Sequence, residues 1–138
     1  MNEKLLIDTN IMVYAVDEDS RFHERAQRLI YESDDELFTT SKNLSEFLAV
    51  VTKGQPPPLS PEEALNALLE ISEAFTVLYP TNYTFVIFQN LILKYQPTGL
   101  RIHDFEIASI GLGNGINRLA TLNRKDFAEI EELELIGI

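Results

Sequence analysis

No cysteine occurs in the 138 residues, which excludes disulfides, zinc-thiolate centres and a thiol nucleophile. Long apolar runs are missing too. Nothing approaches the roughly 18 consecutive apolar residues of a membrane-spanning helix, although 45% of the chain is hydrophobic. Met1-Asn2-Glu3-Lys4 lacks the pattern of a signal peptide, because the apolar stretch that follows stops at Asp8. These absences lead to the expectation of a soluble, cytoplasmic protein with no membrane partner. Basic charge is scarce: 11 Lys and Arg stand against 22 Asp and Glu, a formal net charge of -11. That balance is the reverse of a general nucleic-acid binder's footprint and favours cations or basic partners. Acid gathers between Asp17 and Glu36, and again from Asp126 onward, where no Lys or Arg occurs. Such runs either solvate a surface or meet a basic partner.

What the chain does contain is an alternation of short apolar strands with amphipathic helices. Lys4 to Ile7 reads as a strand, and Ile11 to Ala15 as a short buried helix after the cap-forming corner Asp8-Thr9-Asn10. Further strands are expected at Leu37 to Thr40, Phe75 to Leu78, Arg118 to Leu122 and Leu133 to Ile136. Between them the spacing predicts a helix from Phe22 to Glu32 and one capped by Ser41, with Leu44, Phe47, Leu48 and Val51 as its core stripe. Ser60-Pro61-Glu62-Glu63 opens a helix carrying Ala64, Leu65, Leu68, Leu69 and Ile71. Thr81 to Tyr95 is broad enough in its apolar face to be largely buried, and Asp104 leads into a helix from Phe105 to Leu112. Gly54 to Pro61, with three consecutive prolines, is a loop. Gly111-x-Gly113-x-Gly115 closes a helix and so is no phosphate-cradling loop. Strand never follows strand directly, which requires crossovers. The expected fold is α/β: one domain over residues 1–138, an α/β/α sandwich around a mostly parallel sheet of about five strands.

Asp8 ends an apolar strand, which is where open α/β sheets bind ligands, though a capping role fits it equally. Glu46 lies roughly 150° around its helix from the apolar stripe, so it faces solvent or a cleft. Asp104 is either a cap or a site residue, as are Asn123 and Asp126 after the fourth strand. In a parallel sheet these ends converge on one edge. Clustered carboxylates raise one another's pKa unless a cation neutralises them. Oxygen-only donors point to Mg²⁺ or Mn²⁺, whose natural chemistry in such a cluster is phosphodiester hydrolysis. Phosphate contacts in so acidic a chain must be local, and the candidates are Lys42, Arg101 and Arg124, with Arg118 and Lys125 nearby. His103 is either structural or a substrate contact.

Leu6-Ile7-Asp8-Thr9-Asn10, Ser45-Glu46, Asp104 before Glu106-Ile107-Ala108, and Thr121-Leu122-Asn123-Arg124-Lys125-Asp126-Phe127 resemble the PIN domain. In order and spacing the motifs are similar to those of the small VapC-type toxins of bacterial type II toxin-antitoxin systems. The resemblance implies a Mg²⁺- or Mn²⁺-dependent endoribonuclease that cuts single-stranded or structured RNA, forms a homodimer and is restrained by a small antitoxin protein. It implies metal-ligand roles for Asp8 and Asp104, a water-orienting or water-mediated role for Glu46, and hydrogen-bonding support from Thr9, Asn10 and Thr121. The chain departs from the pattern at Asn123, where many family members carry aspartate. Either Asn123 serves there with a weaker second metal, or Asp126 supplies the fourth acidic position. Two alternatives stay open: a PIN-fold binding module with little or no activity, and an RNA-processing nuclease without an antitoxin.

Overall fold

The strand β1 (Lys4–Ile7) is the centre of the molecule because Leu5, Leu6 and Ile7 have almost no exposed surface. Side chains alternate faces along a strand. Leu5 and Ile7 therefore enter one core and Leu6 the other. The computed structural model describes residues 3–54 and 57–138. After β1 come α1 (Thr9–Val16), α2 (His23–Glu32), β2 (Glu36–Thr40), α3 (Ser41–Lys53), α4 (Pro61–Ser72), β3 (Thr76–Leu78) and α5 (Asn82–Tyr95). The chain continues through α6 (Arg101–Gly113), β4 (Arg118–Ala120), α7 (Arg124–Phe127) and β5 (Glu134–Ile136).

The five strands lie in the order β3-β2-β1-β4-β5, and every pairing is parallel. Ile11, Met12, Ala26, Phe47 and Leu68, from α1 to α4, pack with Leu5 and Ile7 on one face. Leu91, Phe105, Ile107 and Phe127, from α5 to α7, pack with Leu6, Phe38 and Leu119 on the other. This is the expected three-layer sandwich. The chain winds outward from β1 to β3, then returns to start β4 on the opposite side of β1. The direction reverses between β1 and β4, which opens a crevice beyond their C-terminal ends.

Several boundaries differ from the sequence expectation. Thr40, not Ser41, caps α3: its backbone is extended and its side chain accepts from Asn43 N, while Asn43 Oδ1 accepts from Thr40 N. The helix α6 begins at Arg101, so Asp104 lies in its first turn and is not its cap. Gly99 allows this earlier start with φ +65° and a carbonyl that accepts from Ile102 N at 3.2 Å. The strand β4 stops at Ala120, leaving Thr121 just beyond it. Ser60 caps α4 as expected, with Glu63 completing the capping box. The helix α5 is not largely buried: Tyr83, Phe85, Val86 and Leu93 are each more than half exposed. Only its face toward α6 is covered, where a Cβ at Gly113 would stand 2.5 Å from Thr84 Cγ2, so the absence of a side chain sets the close approach. Met1 and Asn2, ahead of the first strand, and Gln55 and Pro56, in the expected loop, lie outside the described residues.

Candidate functional site

Asp8 leaves β1 at the switch point with a backbone N–H bond to the Ala120 carbonyl of β4, 3.0 Å long. It is 5% exposed, yet its carboxylate accepts four hydrogen bonds. Oδ1 receives Thr9 N at 2.8 Å and Asn43 Nδ2 at 3.2 Å. Oδ2 receives Thr121 Oγ1 at 2.7 Å and Asn10 Nδ2 at 3.5 Å. Thr121 is oriented in turn by the Asn123 backbone N–H, 3.0 Å from its Oγ1. Asn10 Oδ1 accepts from Leu122 N at 3.3 Å, which ties the loop after β4 to α1. Thr9, Asn10 and Thr121 thus all donate hydrogen bonds to Asp8.

Asn43 is the residue that sequence reasoning missed. It has no exposed surface, and its amide joins two turns of the chain. Nδ2 donates to Asp8 Oδ1 and, at 2.9 Å, to Thr9 Oγ1, while Oδ1 accepts from Thr40 Oγ1 at 2.7 Å. Thr9 Oγ1 donates onward to Glu46 Oε2 at 3.2 Å. One buried amide therefore sets Asp8 directly and Glu46 through Thr9. The signal available in the sequence was its place three residues after a threonine that ends a strand, the spacing of a capping box.

An open cleft of about 630 Å³ lies beside this network, lined by Lys42, Glu46, Arg101, His103, Asp104 and Asp126 among others. Glu46 therefore faces the cleft. Burial raises its carboxyl above the ordinary range, and the Asp8 charge adds to the effect, against the Thr9 hydrogen bond. Burial likewise raises Asp8, in spite of its hydrogen bonds. Asp104 is pushed up from 3.8 to about 7, by burial first and then by Asp126, Asp8 and Glu46. The fourth carboxylate at the cleft is thus Asp126, brought there by the first turn of α7. Asn123 is exposed and makes no side-chain cap bond; its backbone N–H, and not its amide, serves the site.

Among the described residues, no three acidic or histidine side chains already stand close enough to grip a metal ion. The donor chemistry nevertheless fits a hard divalent cation. All the candidate ligands are oxygens, and the carboxyls of Asp8, Glu46 and Asp104, raised first by burial and then by neighbouring carboxylates, are groups whose ionised form added positive charge favours. The other expected cations divide by position. Lys42 and Arg101 line the cleft, whereas Arg124 is exposed on α7, its Nη1 3.8 Å from where a Cβ at Gly137 would stand. Arg118 lies at the start of β4, at the opposite end of the strand from the cleft. There it holds Glu3 and Asp35 at 3.2 Å each, which corrects its expected place beside the site.

These features define a three-layer α/β protein with an acidic cleft at its switch point. The chain belongs to the PIN domain family, whose pattern matches residues 5–133. Its fold is similar to that of VapBC2 from Rickettsia felis, solved bound to a DNA fragment from their promoter: TM-score 0.76, 20% identity, with 98% of each chain covered. VapBC-1 from nontypeable Haemophilus influenzae aligns at TM-score 0.69 and 24% identity over 97% of each chain. Mycobacterium tuberculosis VapC20, described as a Sarcin-Ricin loop cleaving toxin, aligns at TM-score 0.71 and 13% identity over 91% of this chain and 94% of its own. No curated protein matches the chain. Among the described residues, no helix is long and apolar enough to cross a membrane.

Proposed function

We propose that residues 1–138 act as one PIN domain, a Mg²⁺- or Mn²⁺-dependent endoribonuclease that serves as the toxin of a cytoplasmic toxin-antitoxin pair. The observation that carries this reading is the convergence of Asp8, Glu46, Asp104 and Asp126 at the switch point, where burial first, and then the charges of Asp126, Asp8 and Glu46, raise the Asp104 carboxyl to about 7. Asp8, Asp104 and Asp126 would hold the cation, with Glu46 reaching it through water. When bound, the ion supplies a more acidic water and charge stabilisation at the phosphoryl group. Thr9, Asn10, Asn43 and Thr121 lock the Asp8 carboxylate in one orientation, and Thr9 aims Glu46 at the position of the attacking water. Lys42 and Arg101 are the phosphate contacts nearest the reacting groups, with Arg124 farther out along the RNA.

The structural likeness to VapBC2 from Rickettsia felis and to a toxin-antitoxin complex from Klebsiella pneumoniae supports a small antitoxin as partner. The exposed apolar face of α5, which carries Tyr83, Val86 and Leu93 and no acidic residue, supports a homodimer. Treatment with EDTA is expected to abolish RNA cleavage by the purified protein, and Mg²⁺ or Mn²⁺ to restore it. Cleavage that persists at full rate in EDTA contradicts the metal-dependent reading.

A further inference from the structure

Both cations of the cleft are already engaged by acids outside the carboxylate cluster. Lys42 on α3 reaches Glu106 on α6, with Nζ 3.3 Å from Oε1. Arg101, in the first turn of α6, pairs through Nη2 with Glu129, just past α7, and the same nitrogen donates to the Asp126 carbonyl at 3.3 Å. The guanidinium carbon also lies 5.6 Å from the centre of the Phe105 ring. The four charged side chains are 29% to 42% exposed, so a ligand can reach each pair. Arg124 and Lys125, by contrast, make no ion pair among the described residues.

We infer that Glu106 and Glu129 set the affinity of the cleft for a polyanion, because they compete with its phosphates for Lys42 and Arg101. The inference rests on the RNA-cleaving reading of the same cleft. A phosphate that approaches Lys42 or Arg101 meets a charge already neutralised at contact distance, with Glu46, Asp104 and Asp126 beyond it. Binding then requires the phosphate to displace a carboxylate or share the donors. Lysine has three N–H donors and arginine five, so displacement weighs most at Lys42 and sharing at Arg101. Selectivity follows from the difference: an RNA whose phosphates fit both cations overcomes both acids, while one that meets a single cation gains little. Glu106 and Glu129 act through their partners, as positioning residues, and touch no reacting atom.

Fluorescence anisotropy with a fluorescein-labelled single-stranded RNA of mixed sequence, in Ca²⁺ to hold back cleavage, reads the effect directly. Glu106→Gln and Glu129→Gln are each expected to bind about two- to fivefold more tightly than the parent. The dependence of log affinity on log salt is expected to steepen by about 0.7 for each cation freed. In Mn²⁺ the same variants lower KM and leave kcat at the parental value. Arg101→Gln weakens binding, and adding Glu129→Gln to it changes nothing further. Both glutamine variants fold, because partly exposed ion pairs add little stability. Unchanged or weaker binding with the parental salt slope overturns the inference while the nuclease reading stands. A parent protein that neither binds nor cleaves RNA overturns both.

Discussion

Asp104→Asn is expected to make the cation-free protein more stable above neutral pH while it removes RNA cleavage. The Asp104 carboxyl is raised to about 7 in the folded protein, against 3.8 for the free group. Between those values the native state binds the extra proton, so unfolding releases it and the parent loses stability as pH rises from about 4 to about 7. At about pH 8 the native state must hold the full charge beside Asp126, Asp8 and Glu46. An amide at position 104 removes the cost of burying that charge and, after it, the repulsion. The group is half exposed, so after allowance for solvent screening the gain is on the order of 1 kcal/mol. That corresponds to about 3–5 °C in Tm. Cleavage is expected to fall on the order of 10³-fold, since a ligand to the cation carries several kcal/mol of charge stabilisation. Thermal melts of both proteins in EDTA at about pH 5 and pH 8 check the claim. A variant that melts below the parent at the higher pH contradicts it.

Asn43→Ala is expected to damage stability and activity together. The change deletes the acceptor that serves Thr40 N and Oγ1, and it removes the donor to Asp8 Oδ1 and Thr9 Oγ1. Loss of a helix-start bond costs about 1 kcal/mol, and incomplete satisfaction of the buried partners adds about 1–3 kcal/mol in all, because Asp8 Oδ1 keeps Thr9 N, Thr9 Oγ1 keeps Glu46 and Thr40 Oγ1 keeps the backbone N–H of residue 43. The total, about 2–4 kcal/mol, lowers Tm on the order of 10 °C. Cleavage at a temperature where the variant stays folded is expected to fall further than Tm alone explains, because Asp8 and Glu46 lose their common tether. A Tm within about 2 °C of the parent contradicts the role assigned to Asn43.

Much of this fold was legible because a few signals were strong. β1 is a run of apolar residues stopped by a carboxylate, and the steady alternation of strands with helices left a parallel sheet as the outcome. Glu46 was legible from its angle around α3, and that helix points the residue into the cleft. The misreadings have local causes. Ser41 and Thr40 are both good caps, and the choice fell to Thr40 through its extended backbone and its reciprocal bonds with Asn43. An asparagine near a helix start reads as surface, whereas α3 buries Asn43, Phe47 and Val51, with Leu44 and Leu48 half-buried, because the first turn of α3 abuts the polar corner after β1. Arg118 is close to the final motif in sequence, but a strand advances about 3.3 Å per residue, which carries the chain from one edge of the sheet to the other. The fourth acidic position was ambiguous because α7 is a single turn, too short for spacing alone to decide between Asn123 and Asp126.

In the proposed function Asp8, at the switch point, organises a cation-dependent centre for RNA hydrolysis. The most direct test of this claim is RNA cleavage in Mn²⁺ by the parent and by Asp8→Asn, purified side by side so that any contaminating nuclease is common to both. The expected result is cleavage by the parent and none by a folded variant. Equal cleavage by the two proteins contradicts the claim.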